Sequence, residues 1–143
     1  MNNQPGCGPL SPEPDREFRQ YKANGAITKG EIVGFYGTTG YTVDQANATT
    51  ILGIGVARET AADGQWFQVQ VGGLCDYVTN DGTDVVAYDF LVSSSAGVAI
   101  PYTLVEAETD AGHVGFQNQI IGQSLQADTG TTCTAVMLYK RVV

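Results

Sequence analysis

The stretch Trp66-Phe67-Gln68-Val69-Gln70-Val71 decides the fold. From Phe67 onward, apolar and polar residues alternate: Phe67, Val69 and Val71 share one side, Gln68 and Gln70 the other. A period of two marks a β-strand with one buried face, because successive side chains leave a pleated strand on opposite sides. Ala62-Asp63-Gly64 just before it reads as a hairpin turn, and Leu74 to Val78 as a further strand leading to the turn Asn80-Asp81-Gly82. Trp66 precedes the alternation and lies on the face opposite Phe67. It is equally a core contributor and an anchor for a subunit interface.

The same grammar extends in both directions. Glu31 to Tyr36 reads as a strand after the turns Asn24-Gly25 and Lys29-Gly30. Ile51 to Ala57 is apolar and interrupted by glycine. Phe90-Leu91-Val92 precedes a small-residue turn, Ser93 to Gly97. Ile120 to Leu125 and Cys133 to Val142 finish the chain, with Asp128-Thr129-Gly130 turning between them. No segment carries a 3.6-residue period of useful length, so the chain reads as all-β.

A repeat runs through this pattern. Ile51-Leu52-Gly53 matches Ile120-Ile121-Gly122, and Gly30-Glu31-Ile32-Val33 matches Tyr88-Asp89-Phe90-Leu91-Val92. Each half continues through an Asp/Gly turn into an apolar strand, Phe67 to Val71 or Ala135 to Tyr139. The second copy carries an extra stretch at about 103–119. Two copies closing on each other would hide the edge strands that a lone three-stranded sheet exposes. The expectation is a small β-barrel built from two similar strand–hairpin units. Its single core is expected to draw on Trp66, Phe67, Val69, Val71, Ile121, Val136 and Leu138.

Residues 1–20 differ from the rest. Four of the five prolines (Pro5, Pro9, Pro12 and Pro14) lie there, with Gly6 and Gly8 among them. Proline removes a backbone donor and glycine offers no side chain to pack, so this stretch suits neither a helix nor a central strand. Fully extended it would reach up to about 65 Å. The sequence reading therefore divides the chain into an extended N-terminal docking arm, 1–20, and a β-barrel domain, 21–143. An arm folded back on its own barrel is the alternative. Candidate contacts with a shell or a neighbouring subunit are Pro5, Cys7, Pro9, Leu10, Pro12, Pro14, Phe18, Tyr21 and Trp66.

Length and composition narrow the function. The 143 residues suit one domain with a real core. A net charge of −8, with seven dispersed basic residues, argues against nucleic acid, whose phosphates need clustered Lys and Arg. No apolar run is long enough for a membrane helix. The first residues lack a basic segment followed by an apolar one, so synthesis in the cytoplasm without export is expected, leaving Asn47 of the Asn47-Ala48-Thr49 sequon unmodified. Cys7, Cys75 and Cys133 are odd in number and far apart. Free thiols are expected, with Cys7 pairing to a neighbouring subunit as the alternative.

The catalytic inventory is thin. His113 is the only histidine, and no nucleophile signature surrounds it. One histidine and three isolated cysteines do not make a zinc set. Gly53-Ile54-Gly55-Val56-Ala57-Arg58 starts like a dinucleotide fingerprint, but Arg58 stands in the third glycine position and no helix follows. Gly37-Thr38-Thr39-Gly40 lacks the lysine of a phosphate loop. Asn80-Asp81-Gly82-Thr83-Asp84 lacks the first and last ligands of a calcium loop. Glu106, Glu108 and Asp110 read as a solvated loop. No enzyme activity, cofactor or metal is expected.

From Gly25 to Val143 the chain resembles the bacteriophage capsid decoration, or cement, proteins. The resemblance rests on Gly25-Ala26-Ile27-Thr28-Lys29-Gly30-Glu31-Ile32-Val33, Ile51-Leu52-Gly53-Ile54-Gly55-Val56-Ala57, and Ala61-Ala62-Asp63-Gly64-Gln65 leading to Val69-Gln70-Val71-Gly72-Gly73. It continues with Asp89-Phe90-Leu91, Gly97 and Ile121-Gly122-Gln123-Ser124-Leu125. It implies a small β-barrel on the exterior of the virion capsid, bound to the major capsid protein and to copies of itself, trimer before dimer. It implies stabilisation of the head against internal DNA pressure, without catalysis, nucleic acid or membrane. A tail- or fibre-associated virion β-domain is the alternative.

Overall fold

A computed structural model describes residues 16–47, 50–102 and 120–142. Eleven short strands follow one another: β1 Glu17–Ala23, β2 Ile32–Phe35, β3 Thr42–Gln45, β4 Gly55–Ala57, β5 Trp66–Cys75, β6 Val78–Thr79, β7 Phe90–Ser93, β8 Ala99–Pro101, β9 Ile120–Ser124, β10 Thr132–Cys133 and β11 Val136–Leu138. The described residues include no α-helix, only a 3-10 turn at Ser95–Gly97. The all-β expectation holds, and so does its construction from two similar units.

The decisive stretch is the first part of β5, the longest strand at ten residues. Phe67, Val69 and Val71 are buried as the alternation requires, and Trp66 is exposed. Gln70 departs from the pattern: it is buried on the other face, where its side-chain amide donates to the Gly72 and Leu74 carbonyls at 3.1 and 2.9 Å.

β5 belongs to two rings. Its first part pairs antiparallel with β1 and β4. From there the order β4–β2–β3 returns to β1, through a parallel β3–β1 contact at Thr42–Lys22 and Val43–Ala23, and closes a five-stranded ring. Its last residues, Gly73 to Cys75, pair with β11, which continues through β9 and β7 to β8. A parallel bridge Asn80–Ala99 then links β8 to the residue following β6, and β10 pairs with β6. The second ring thus repeats the first. β5 ends one and begins the other, so each unit covers its own edges.

The repeat extends to individual hydrogen bonds. Gly30 N–H donates to Ala57 O at 2.9 Å and Tyr88 N–H to Ser124 O at 2.7 Å. Ala57 N–H donates to Glu31 O and Ser124 N–H to Asp89 O, both at 2.8 Å. Ile27 and Ala61 exchange a reciprocal pair of bonds, as Val85 and Asp128 do. The carboxylates match too: Glu31 accepts from Thr28 N–H at 3.0 Å and Asp89 from Val86 N–H at 2.9 Å. Gly55 and Gly122 occupy equivalent places, where a Cβ would strike the backbone carbonyl of Gln70 or of Met137. Gly122 therefore corresponds to Gly55, two residues beyond the Gly53 that the sequence pattern suggested.

Two expectations are corrected. The copies do not close on each other around one core, because each closes on itself. Phe67, Val69 and Val71 fill the first core with Tyr21, Ile27, Val33 and Val43, whereas Ile121, Val136 and Leu138 fill the second with Val78, Val85 and Leu91. Trp66, 51% exposed, joins neither. The boundary at residue 20 also moves, since Glu17 to Gln20 pair with β5 as part of the first ring. Residues 1–15, the rest of the expected arm, and the extra stretch 103–119 lie outside the described residues.

The units are packed together through the outer face of the first. Ile32, Ala46 and Val56 point away from their own ring and enter the second core. Gly53 sits so tightly between Ile32 and Ile121 that a Cβ there would fall within 3 Å of both side chains. Gly97, at φ +70°, lies against the Ile32 backbone and donates its N–H to Ala46 O at 2.9 Å.

Candidate functional site

The first ring carries a concavity of about 540 Å³ lined by Arg19, Gln20, Tyr21, Phe35, Gly40, Tyr41, Arg141 and Val142. β1 supplies Arg19 to Tyr21. Phe35 and Tyr41 bracket the β2–β3 hairpin, whose glycines Gly37 and Gly40 take φ of +75° and +74°, as the turn requires. The residues after β11 bring Arg141 and Val142 across to it. Tyr21 meets Phe35 edge to face at 5.6 Å, and Tyr41 stacks on Trp66 at 5.6 Å with 23° between ring planes. These are the separations at which aromatic rings attract one another. Tyr41 and Trp66 together present a flat apolar platform beside the concavity.

Its charge is opposite to that of the chain as a whole. Among the described residues, two of the seven basic residues line it and no carboxylate does. The Arg141 guanidinium donates to Ile120 O at 2.6 Å, and partial burial lowers its pKa from the usual range. Arg19 is within 3.4 Å of the Glu17 carboxylate, which also meets Lys140 at 2.9 Å. The Lys140 hydrogen bond is the largest reason the Glu17 pKa is lowered. Such a surface favours a partner with apolar groups and negative charge.

A second exposed cluster lies on the second ring. Phe90 and Tyr139 are 6.5 Å apart, with Val86, Tyr88 and Leu125 exposed on the same unit. Tyr88 holds φ +74° in open surroundings, at the place equivalent to Gly30. A third feature joins the units. Arg58 bonds Asp76 at 3.0 Å and lies 5.8 Å from the Phe18 ring centre, and its hydrogen bond is the main cause of the lowered Asp76 pKa.

Pro5, Cys7, Pro9, Leu10, Pro12 and Pro14 lie outside the described residues. Phe18 is exposed on β1 beside Arg58. Trp66 is exposed, stacks on Tyr41 beside the concavity and belongs to neither core. Tyr21 is only 6% exposed: its ring packs into the first core, the residue lines the concavity, and burial raises its phenol pKa. Sequence reasoning missed Tyr41, Phe35, Arg19 and Arg141. An available signal is the aromatic bracket of Phe35-Tyr36 and Tyr41 around the loop Gly37-Thr38-Thr39-Gly40.

Among the described residues no three His, Cys, Asp or Glu side chains cluster to hold a metal ion. Cys75 and Cys133 are buried free thiols, both with pKa raised chiefly by burial. His113 and the carboxylates of the extra stretch lie outside the described residues.

No protein-family model matches the chain, and no curated protein sequence does. Among solved structures, the N base of the head fibre protein gp8.5 of bacteriophage phi29 is similar. The TM-score is 0.60 at 15% identity, over 90% of this chain and 98% of that one. At that identity the likeness is one of fold, and it extends over both rings.

Proposed function

We propose that this chain is a structural component of a phage head: a decoration protein that binds the exterior of the assembled capsid and strengthens it without catalysing a reaction. The observation that carries the reading is the fold shared with a phage head fibre base across 98% of that chain. The surface agrees. Apolar and aromatic side chains are exposed in clusters on both rings, as on proteins that work by contact. The partner is the major capsid protein, met by Trp66 and the arm 1–15. A protein that binds only the assembled lattice stabilises it by mass action, and many copies multiply a modest energy per site.

The same likeness favours a second reading, that the chain is the base of a fibre standing on the head. One experiment separates the two. Purified protein is added to undecorated heads and, separately, to tails, and each is pelleted. The decoration reading expects co-sedimentation with heads at a fixed number of copies per lattice site, covering the shell. Binding to heads at only a few places per particle favours the fibre base. Binding to tails alone, or to neither, overturns both.

A further inference from the structure

The two units are equivalent but not equally covered, and this difference points to a partner. On the first unit, the outward residues Ile32, Ala46 and Val56 are buried because the second unit receives them. Their counterparts follow from the matched hydrogen bonds. Ala46 N–H donates to Ile32 O and Tyr102 N–H to Phe90 O, at 2.9 and 2.7 Å, so Phe90 and Tyr102 replace Ile32 and Ala46. Ile32 pairs with Val56 in the ladder as Phe90 pairs with Gln123, so Gln123 replaces Val56. Phe90 is 40% exposed, and Tyr102 and Gln123 are half-buried. Tyr88 stands 67% exposed where Gly30 lies under the Tyr77 ring. Phe90 and Tyr88 are thus exposed where their counterparts Ile32 and Gly30 are buried.

The matching seat is also open. In the second unit the seat is built from Tyr77 and Val78, from the β7–β8 loop with Ser93 and Gly97, and from Ile121. By the same equivalence those places in the first unit are Gln20, Tyr21, Phe35, Tyr41 and Ile54. Four of these five line the concavity of about 540 Å³. Among the described residues, one unit thus has an open seat and the other an exposed plug in Phe90 and Tyr88.

We infer that the plug of one copy, Phe90 and Gln123 with Tyr88, docks into the Tyr21–Phe35–Tyr41 seat of a second copy. The contact between chains then repeats the contact within the chain, head to tail. Such a contact is heterologous. It closes into a ring or runs on as a string, according to the rotation between units. It is weaker than the internal joint for a stated reason. Within the chain the Gly30 carbonyl accepts the Thr79 N–H at 2.9 Å, whereas the equivalent donor in the seat, Lys22 N–H, is already taken by Tyr41 O at 2.8 Å. Aromatic rings on both sides take the place of the aliphatic internal joint. This inference does not depend on capsid binding and is tested without capsids.

The test is sedimentation of the full chain over a concentration series, with two single variants that each break one side: Phe90→Glu on the plug and Tyr41→Glu in the seat. Both positions are exposed, so native melting curves are expected, and Tyr88→Asp serves as a second plug variant that tolerates the positive φ. The wild-type chain is expected to associate reversibly. Each variant alone should weaken self-association at least about tenfold. Mixing Phe90→Glu with Tyr41→Glu should restore a capped one-to-one complex and nothing larger, because each supplies the side the other lacks. A wild-type chain that stays monomeric to its solubility limit overturns the inference. So does a mixture that never pairs, which would mark any association as symmetric and built from a single face.

Discussion

Replacing Gly122 with alanine tests the repeat at the level of single atoms. A Cβ at this position would press against the Met137 carbonyl oxygen, far inside van der Waals contact, and come within 3.1 Å of Leu138 Cα. Both obstacles are backbone, so no side chain can swing away. Gly122 pairs with Leu138 on β11 and with Leu91 on β7, so relief by backbone movement disturbs two ladders of the second ring. Overpacking of this kind costs about 1–3 kcal/mol, a fall in melting temperature of roughly 3–10 °C for a chain of this size. Gly55→Ala should cost about the same, since its Cβ would meet the equivalent Gln70 carbonyl. Gly72→Ala is the control: its nearest neighbour would be Lys140 Cβ at 3.6 Å, an ordinary contact, and its counterpart on the second unit is the large Tyr139. It should be neutral or slightly stabilising, because alanine restricts the unfolded chain. The assay is thermal and denaturant unfolding of the three variants. Gly122→Ala and Gly55→Ala as stable as Gly72→Ala would refute the matched-register account.

Further predictions follow from the same geometry. Phe67→Ala empties a fully buried site in the first core and should cost about 3–5 kcal/mol by denaturant melt; an unmoved midpoint would contradict the ring closure. The Asp76 pKa is lowered in the fold by Arg58, so this pair contributes stability above the ordinary carboxylate pKa and loses it as pH falls through the lowered value. Because Asp76 is 57% exposed, Arg58→Ala should cost only about 0–1 kcal/mol of pairing near neutral pH, and that part of the loss should vanish in strong acid. Cys75 and Cys133 should react with thiol reagents only on unfolding, which a labelling time course with and without denaturant checks. Deleting residues 1–15, leaving β1 whole, should preserve the melting temperature and weaken binding to heads; unchanged affinity would remove the docking role of the arm.

Much of the fold was legible because its signals are local. The alternation from Phe67 to Val71 marks β5, and Asp63-Gly64 and Asn80-Asp81-Gly82 mark its neighbouring turns. The repeat was visible because both copies need glycine at the crowded β4 and β9 positions, although only the structure set its register. β1 was missed because Glu17-Phe18-Arg19-Gln20-Tyr21-Lys22-Ala23 buries only Tyr21 and Ala23, and charged neighbours mask the period. β3 and β8 are four and three residues long, too short for a pattern. Ring closure depends on pairings between distant segments, β1 with β3 and β5, which no local period records. The concavity was hidden for the same reason, since Arg19, Tyr41 and Arg141 come from three separate parts of the chain and meet only when the ring closes.

The central claim is that the protein strengthens a phage head by binding its exterior. The most direct measurement heats matched DNA-filled heads, bare and saturated with this protein, and follows DNA release by dye fluorescence. The account predicts release at a higher temperature from the saturated heads, with the shift growing with occupancy until the lattice is full. Identical release curves at verified saturation would contradict it.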